Sequence, residues 1–309
     1  MGLFGKKKKS ASVGLYGKHP SADDFLRLNA SGAEVRWLDE WLSGALPAAE
    51  RLVPEWESVY ARFPSVSFIC GGAGKSTTYL LGAMAPSTDR IGRQYPLILF
   101  AEVDETAILD GYPGVPHVRF LEEAEALIAR RDRLSRDGLL EAVEALTPPD
   151  DGSLQSAMRR HRDFLEETNG DDALAAMFAR AGDVAQAEHA LGILREACRS
   201  ISPRDPLPGF GVRCPIGERT GSERTQHAAL WLEVLQRLLS VRLVPNALWS
   251  GGVMLAYFGR LPAKALTALW HTGWQDDTLY DLGKERNDKL RLSGLPLDTP
   301  LPALLGALS

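Results

Sequence analysis

Apolar positions fall into two rhythms along the chain. Val13 to Tyr16 is a short apolar run closed by Gly17 and Pro20, and it reads as a first strand. From residue 33 the spacing changes. Trp37, Leu38, Trp41, Leu42 and Ala45 recur at three- and four-residue intervals, which predicts a helix, and Pro54 opens a second helical piece through Trp56, Val59 and Tyr60. Three strand-like runs follow: Ser65 to Cys70, Thr77 to Met84 and Tyr95 to Val103. Gly71-Gly72-Ala73-Gly74 and Pro86-Ser87-Thr88-Asp89 separate them, and connections this short suit antiparallel neighbours.

From Val118 to Ser200 the pattern is helical almost throughout, with breaks at Pro148 to Gly152, Asn169-Gly170 and Gly182-Asp183. A proline-rich stretch from Pro203 to Pro208 leads to a strand at Phe210 to Cys214 and an amphipathic helix over about 224–243. A strand at Ala247 to Trp249, a helix from Ala263 to Trp274 and a short closing helix within Pro296 to Leu308 complete the reading. The predicted architecture is α/β: a mixed, largely antiparallel sheet flanked by helices, with a long helical middle segment. It divides into a basic tail (1–11), an N-terminal α/β part (12–116), a helical insertion (117–202) and a C-terminal α/β part completing the fold (203–309).

Composition narrows the function more than the fold. The chain has 309 residues, 45% of them hydrophobic, and 35 basic against 40 acidic residues. Four of the basic ones are Lys6 to Lys9, so the remainder is clearly acidic and unsuited to nucleic acid. The lysine tract is followed by Ser10-Ala11-Ser12, not by the apolar segment of a secretory signal. A cytoplasmic location is expected, with membrane contact only through Lys6 to Lys9. Three widely spaced cysteines agree with a reducing compartment.

Candidate chemistry is sparse. Cys70-Gly71-Gly72-Ala73-Gly74-Lys75-Ser76-Thr77 imitates a phosphate-binding loop, with Lys75 placed for outer phosphates and Ser76 for magnesium. Ile69 stands where the pattern requires its first glycine, and the extra lysine of ParA-type loops would fall at Cys70. The following residues are β-prone, whereas a phosphate loop feeds a helix N-terminus. Gly71 to Ser76 therefore reads as a hairpin turn, with a nucleotide-dependent switch as the alternative. The six histidines are scattered and no G-x-S-x-G elbow occurs, so no catalytic residue, metal site or cofactor is expected.

Two segments resemble a known family. Gly17-Lys18-His19-Pro20-Ser21-Ala22-Asp23-Asp24-Phe25-Leu26-Arg27 is similar to a G-K-x-P-S-x-G-D-F-x-R opening, and Pro86 to Leu97 to a P-S-x-D-x-x-G-R-x-(F/Y)-P-L run. Both are signatures of the TagF (ImpM) family. Asn246 to Ser250 and Gly259 to Pro262 resemble weaker marks of the same family. Asp23 departs from it, standing where glycine is usual. The resemblance implies a longin-like fold and a post-translational repressor of type VI secretion, which sequesters a forkhead-associated (Fha) scaffold protein in parallel with the PpkA kinase and PppA phosphatase. The residues it brings forward are Lys18, Asp24, Phe25, Arg27, Ser87, Asp89, Arg90 and Arg93.

Their chemistry leaves two readings open, a structural brace or a partner-binding surface. Ser87 and Asp89 suit hydrogen bonds to backbone N–H groups of the turn, and Arg90 and Arg93 suit ion pairs with Asp24 or Asp89. Phe25 would plug between sheet and helix, and Lys18 and Arg27 would reach outward.

Overall fold

Apolar runs punctuated by turn residues become neighbouring strands. The computed structural model describes residues 12–71, 77–105, 108, 118–149, 151–170, 172–173, 184–201, 210–218, 220–239, 243–271, 274, 277–284 and 287–308. In it β1 (Val13–Gly17) is followed by a three-residue strand β2 (Leu26–Leu28), and then by β3 (Val66–Gly71), β4 (Thr78–Ala85) and β5 (Leu97–Asp104). The C-terminal part adds β6 (Gly211–Pro215), β7 (Asn246–Ser250), β8 (Val253–Tyr257) and β9 (Leu279–Asp281). All nine belong to one sheet in the order β2-β1-β5-β4-β3-β7-β8-β6-β9. Every pairing is antiparallel except β6 with β9. The fold is thus a mixed α/β one with a mostly antiparallel sheet, as the spacing predicted.

Both faces of the sheet are covered, which is why β5 reads Leu97-Ile98-Leu99-Phe100-Ala101 without alternation. Ile98 and Phe100 face one layer, together with Tyr16, Phe68, Leu80, Leu248 and Leu255. That layer packs against α1 (Ala33–Leu52) through Val35, Leu38, Leu42 and Ala45, and against a short C-terminal helix α8 (Ala265–Trp270). Leu97, Leu99 and Ala101 face the other layer. Most of the remaining helices gather there: α3 (Val118–Ala129), α4 (Arg136–Glu144), α5 (Asp151–Glu167), α6 (Val184–Arg199), α7 (Gly221–Leu238) and α9 (Leu301–Ala307).

Several boundaries differ from the sequence reading, each for a local reason. The helical piece after Pro54 is one turn of α-helix, α2 (Trp56–Val59), continued by a 3-10 turn at Tyr60–Arg62. The helical middle is interrupted once more at Arg131–Arg133, after which the hydroxyl of Ser135 accepts the N–H of Gly138 and starts α4. β2, β8 and β9 are absent from the sequence reading, although β8 is an apolar run of the same kind as β3 to β5. β8 follows β7 through Gly251-Gly252, where Gly251 takes a φ of 54°, and β9 is only three residues long. Trp41 and Trp56 are buried as expected, while Trp37 is half-buried. Among the described residues, no helix is long and apolar enough to cross a membrane.

Candidate functional site

Between β4 and β5 the chain doubles back in a narrow turn. Tyr95 N–H donates to the Ser87 carbonyl (3.0 Å) and Asp89 N–H to the Arg93 carbonyl (3.1 Å), while Thr88 and Gln94 form a bridge. Gly92 closes the tip with a φ of 88°. The organising group is the Asp89 carboxylate. Oδ1 accepts the N–H groups of Ile91 (3.2 Å) and Arg93 (2.9 Å), and Oδ2 accepts Lys18 Nζ (2.8 Å) and Arg93 Nε (2.6 Å). Its side chain has no exposed surface. Burial alone would raise its pKa. The bonds from Lys18 and from the backbone and side chain of Arg93 outweigh that and hold the carboxyl well below the usual range.

Lys18 arrives from the loop after β1. The preceding Gly17 has a φ of 128°, and a Cβ there would collide with the Pro96 carbonyl, so only glycine lets the two segments approach. His19 extends the contact to the helical layer. Its Nε2–H donates to the Arg131 carbonyl (3.0 Å), and Nδ1 accepts the Ser21 N–H (3.2 Å) and lies 2.6 Å from the Ser21 hydroxyl. Since a carbonyl can only accept, the neutral ring carries its proton on Nε2. Arg131 in turn donates to the carbonyls of Pro86 (2.7 Å) and Ile128 (2.9 Å). Opening signature, turn and α3–α4 junction form one hydrogen-bonded body.

An aromatic group lies beside it. Phe25 stacks on Tyr16 (5.2 Å between centroids) and meets Tyr95 edge-on (4.8 Å). Tyr95 donates its hydroxyl to Asp39 on α1 (2.7 Å). Burial, reinforced by hydrogen bonds to Asp39, raises the Tyr95 pKa and pushes that of Tyr16 up to about 12. The Arg27 guanidinium lies 5.4 Å from the Tyr16 ring and 5.9 Å from that of Phe25.

The predicted residues therefore separate into roles the sequence did not distinguish. Lys18, expected to reach outward, is buried, because the carboxylate it serves is buried too. Arg93 pairs with Asp89 and also donates to the Asp23 carbonyl (2.8 Å). Arg90 pairs with Asp23 (2.5 Å), not with Asp24 or Asp89, and both partners are two-thirds exposed. Asp24 accepts the N–H of Phe25 (2.8 Å). The Ser87 hydroxyl, expected to bond the backbone, is buried without a hydrogen-bond partner among the described residues; Asp89 does that work alone. Arg27 is exposed, as expected. Sequence reasoning missed His19, Asp39, Arg131 and the Trp56–Gln94 bond (2.6 Å) as parts of the assembly. His19 and Gln94 fall at variable positions of the two signatures, and Asp39, Trp56 and Arg131 lie outside them.

A second buried carboxylate lies in the helical layer. Glu233 on α7 accepts His161 Nε2 from α5 (2.7 Å) and Arg237 one turn on (2.7 Å). Burial opposes its ionisation, and bonds from His161 and Arg237 lower its pKa nonetheless.

The glycine-rich loop is less instructive. Residues 72–76, including Lys75 and Ser76, lie outside the described residues, but their flanks are clear: Gly71 pairs with Tyr79 across antiparallel β3 and β4. A strand follows the loop where a phosphate site requires a helix N-terminus. Tail residues 1–11 also lie outside the described set. Among the described residues no group of His, Cys, Asp or Glu is arranged to hold a metal ion.

No curated protein matches the sequence. The crystal structure of PA0076 from Pseudomonas aeruginosa PAO1 is similar with a TM-score of 0.49 and 17% identity, over 87% of this chain and 98% of that one. Residues 14–146 match the family model described as the TagF N-terminal domain, type VI secretion system-associated. That span holds Lys18, Asp89 and Arg131 alike, so the braced turn lies inside a TagF N-terminal domain carried by residues 14–146, a domain described as type VI secretion system-associated.

Proposed function

We propose that the protein is a post-translational repressor of type VI secretion that works by binding and sequestering a forkhead-associated scaffold protein, without catalysis. The observation that carries this reading is how the signature residues of the TagF domain are employed. Lys18, Asp89 and Arg93 are consumed in holding a turn rigid, and no reactive group is left between them. A turn fixed by a buried carboxylate presents its tip in one conformation, and pre-organisation of that kind favours tight protein association. Sequestration then needs only mass action: each bound scaffold is withdrawn from the assembling machine.

The test has two arms. Titration calorimetry between the full chain and the Fha scaffold of the same secretion cluster should give saturable binding. Raised expression of the chain should stop export of a type VI substrate without lowering scaffold abundance. Absence of binding together with undiminished export would refute the reading.

A further inference from the structure

The tip of the β4–β5 turn is built against the usual rule for exposed turns. Ile91, an apolar β-branched residue, is 70% exposed there. Only Leu52 (40%) and Tyr280 (43%) are also exposed large hydrophobics among the described residues. Its position is not loose, since its own N–H is bonded to the buried Asp89 carboxylate (3.2 Å) and Gly92 N–H returns to the Asp89 carbonyl (3.0 Å). A rigid apolar knob therefore stands in water on a turn where a polar residue would serve equally well for folding.

Its surroundings are cationic. Arg90 and Arg93 flank it, with side chains 66% and 53% exposed. Exposed Arg27 lies over Tyr16 and Phe25 beside the same turn. The local carboxylates offset part of this, since Asp23 pairs with Arg90 and the buried Asp89 is shared by Lys18 and Arg93, so that Lys18, Arg27, Arg90 and Arg93 stand against Asp23, Asp24 and Asp89. The chain as a whole carries a net charge of −5, so its body repels an acidic partner. Attraction to one has to come from a local concentration of guanidinium groups.

We propose that Ile91, flanked by Arg90 and Arg93 and with Arg27 on the adjoining Tyr16–Phe25 aromatic group, is the anchor through which the protein docks on its scaffold partner, inserting into a shallow apolar pocket rimmed by carboxylates. This rests on the scaffold-binding reading above and gives that interface a location and a chemistry. The knob supplies desolvated contact area, and the exposed guanidinium groups of Arg27 and Arg90 supply donors that match carboxylates and steer encounter, while Arg93 holds the turn.

The experiment measures scaffold affinity by calorimetry for the full chain and four variants, with melting temperature recorded for each. Ile91→Asp should weaken binding at least about tenfold and Arg27→Glu by about the same factor. Ile91→Leu should stay within about twofold, and no melting temperature should shift appreciably because the side chains concerned are exposed. Tyr280→Asp is the control. It sits on β9, five strands from β4 and so roughly 25 Å away, and it should bind like the parent. Affinity should also fall as salt is raised. Should Ile91→Asp prove unstable, Ile91→Ser carries the same prediction with a milder change.

Parent-like binding by folded Ile91→Asp and Arg27→Glu overturns the docking site while leaving the scaffold reading intact. So does loss of binding in Tyr280→Asp alone. Salt-independent binding overturns the carboxylate rim. If the parent chain itself does not bind the scaffold, the reading of function falls and the docking site falls with it.

Discussion

Asp89 and Glu233 are both carboxylates withdrawn from water, yet they are satisfied in different ways. Asp89 fills its acceptor sites with two backbone N–H groups of its own turn, a lysine and an arginine. Glu233 relies on side chains alone, a histidine from another helix and an arginine one turn on. The first arrangement dictates the path of the main chain and hence the shape of a surface. The second fixes the spacing between α5 and α7 and leaves the backbone of each to its own ladder. A buried charge held by main-chain donors is a shape determinant; one held by side chains is a spacer.

If that distinction is right, Asp89→Asn is the most damaging of the relevant substitutions. It leaves Lys18 as a buried cation without its counter-charge, and chemical denaturation should show a loss of about 3–5 kcal/mol. A pH series sharpens the point. Because the folded Asp89 pKa is depressed, its contribution is present above the unfolded aspartate value, near 4, and fades as pH falls below that toward the lowered native value. The stability gap between parent and Asp89→Asn should therefore narrow on acidification below about pH 4. A gap that stays constant down to pH 2 would contradict it.

Lys18→Met comes next, at about 2 kcal/mol, since Asp89 keeps Arg93 and both amides when the lysine is gone. Glu233→Gln should cost about 1–2 kcal/mol, because Arg237 is one-third exposed and can turn to solvent. Hydrogen exchange should then separate the two carboxylates further. The β4–β5 turn should lose protection in the Asp89 variant, whereas the amides within α5 and α7 should keep theirs in the Glu233 variant. Arg90→Ala is the smallest, no more than about 0.5 kcal/mol, as expected for an exposed pair with Asp23. A larger loss there would return Arg90 to the brace.

The same contrast explains what could be read from the residues alone. Asp89, Arg93 and Gly92 lie within five positions, and a turn between two apolar runs gives away its chemistry locally. The strands β3, β4 and β5 were legible for the same reason, each being a continuous apolar run closed by turn residues. Lys18 was visible as a motif residue but was assigned the wrong side of the surface. Its burial depends on a carboxylate 71 positions later. His19 meeting Arg131 spans 112 positions, and His161 meeting Glu233 spans 72. Such contacts leave no periodicity in the chain. Short elements failed for another reason: β2 and β9 have three residues each, fewer than two full periods of alternation.

The seam between β3 and β7 has a consequence during synthesis. Gly71 N–H is bonded to the Asn246 side chain (2.8 Å), across 175 positions, and Ser67, Phe68 and Ile69 wait for Trp249, Leu248 and Ala247. At about 5–20 residues per second a ribosome needs roughly ten to thirty-five seconds to supply that partner. For that interval the emerging β1–β5 half presents an unpaired, largely apolar strand edge at β3, the kind of edge that pairs with other chains. Expression of residues 14–146 alone would make the delay permanent. Nascent-chain capture by holdase chaperones should accordingly peak after β5 has left the exit tunnel and fall once residue 250 is out.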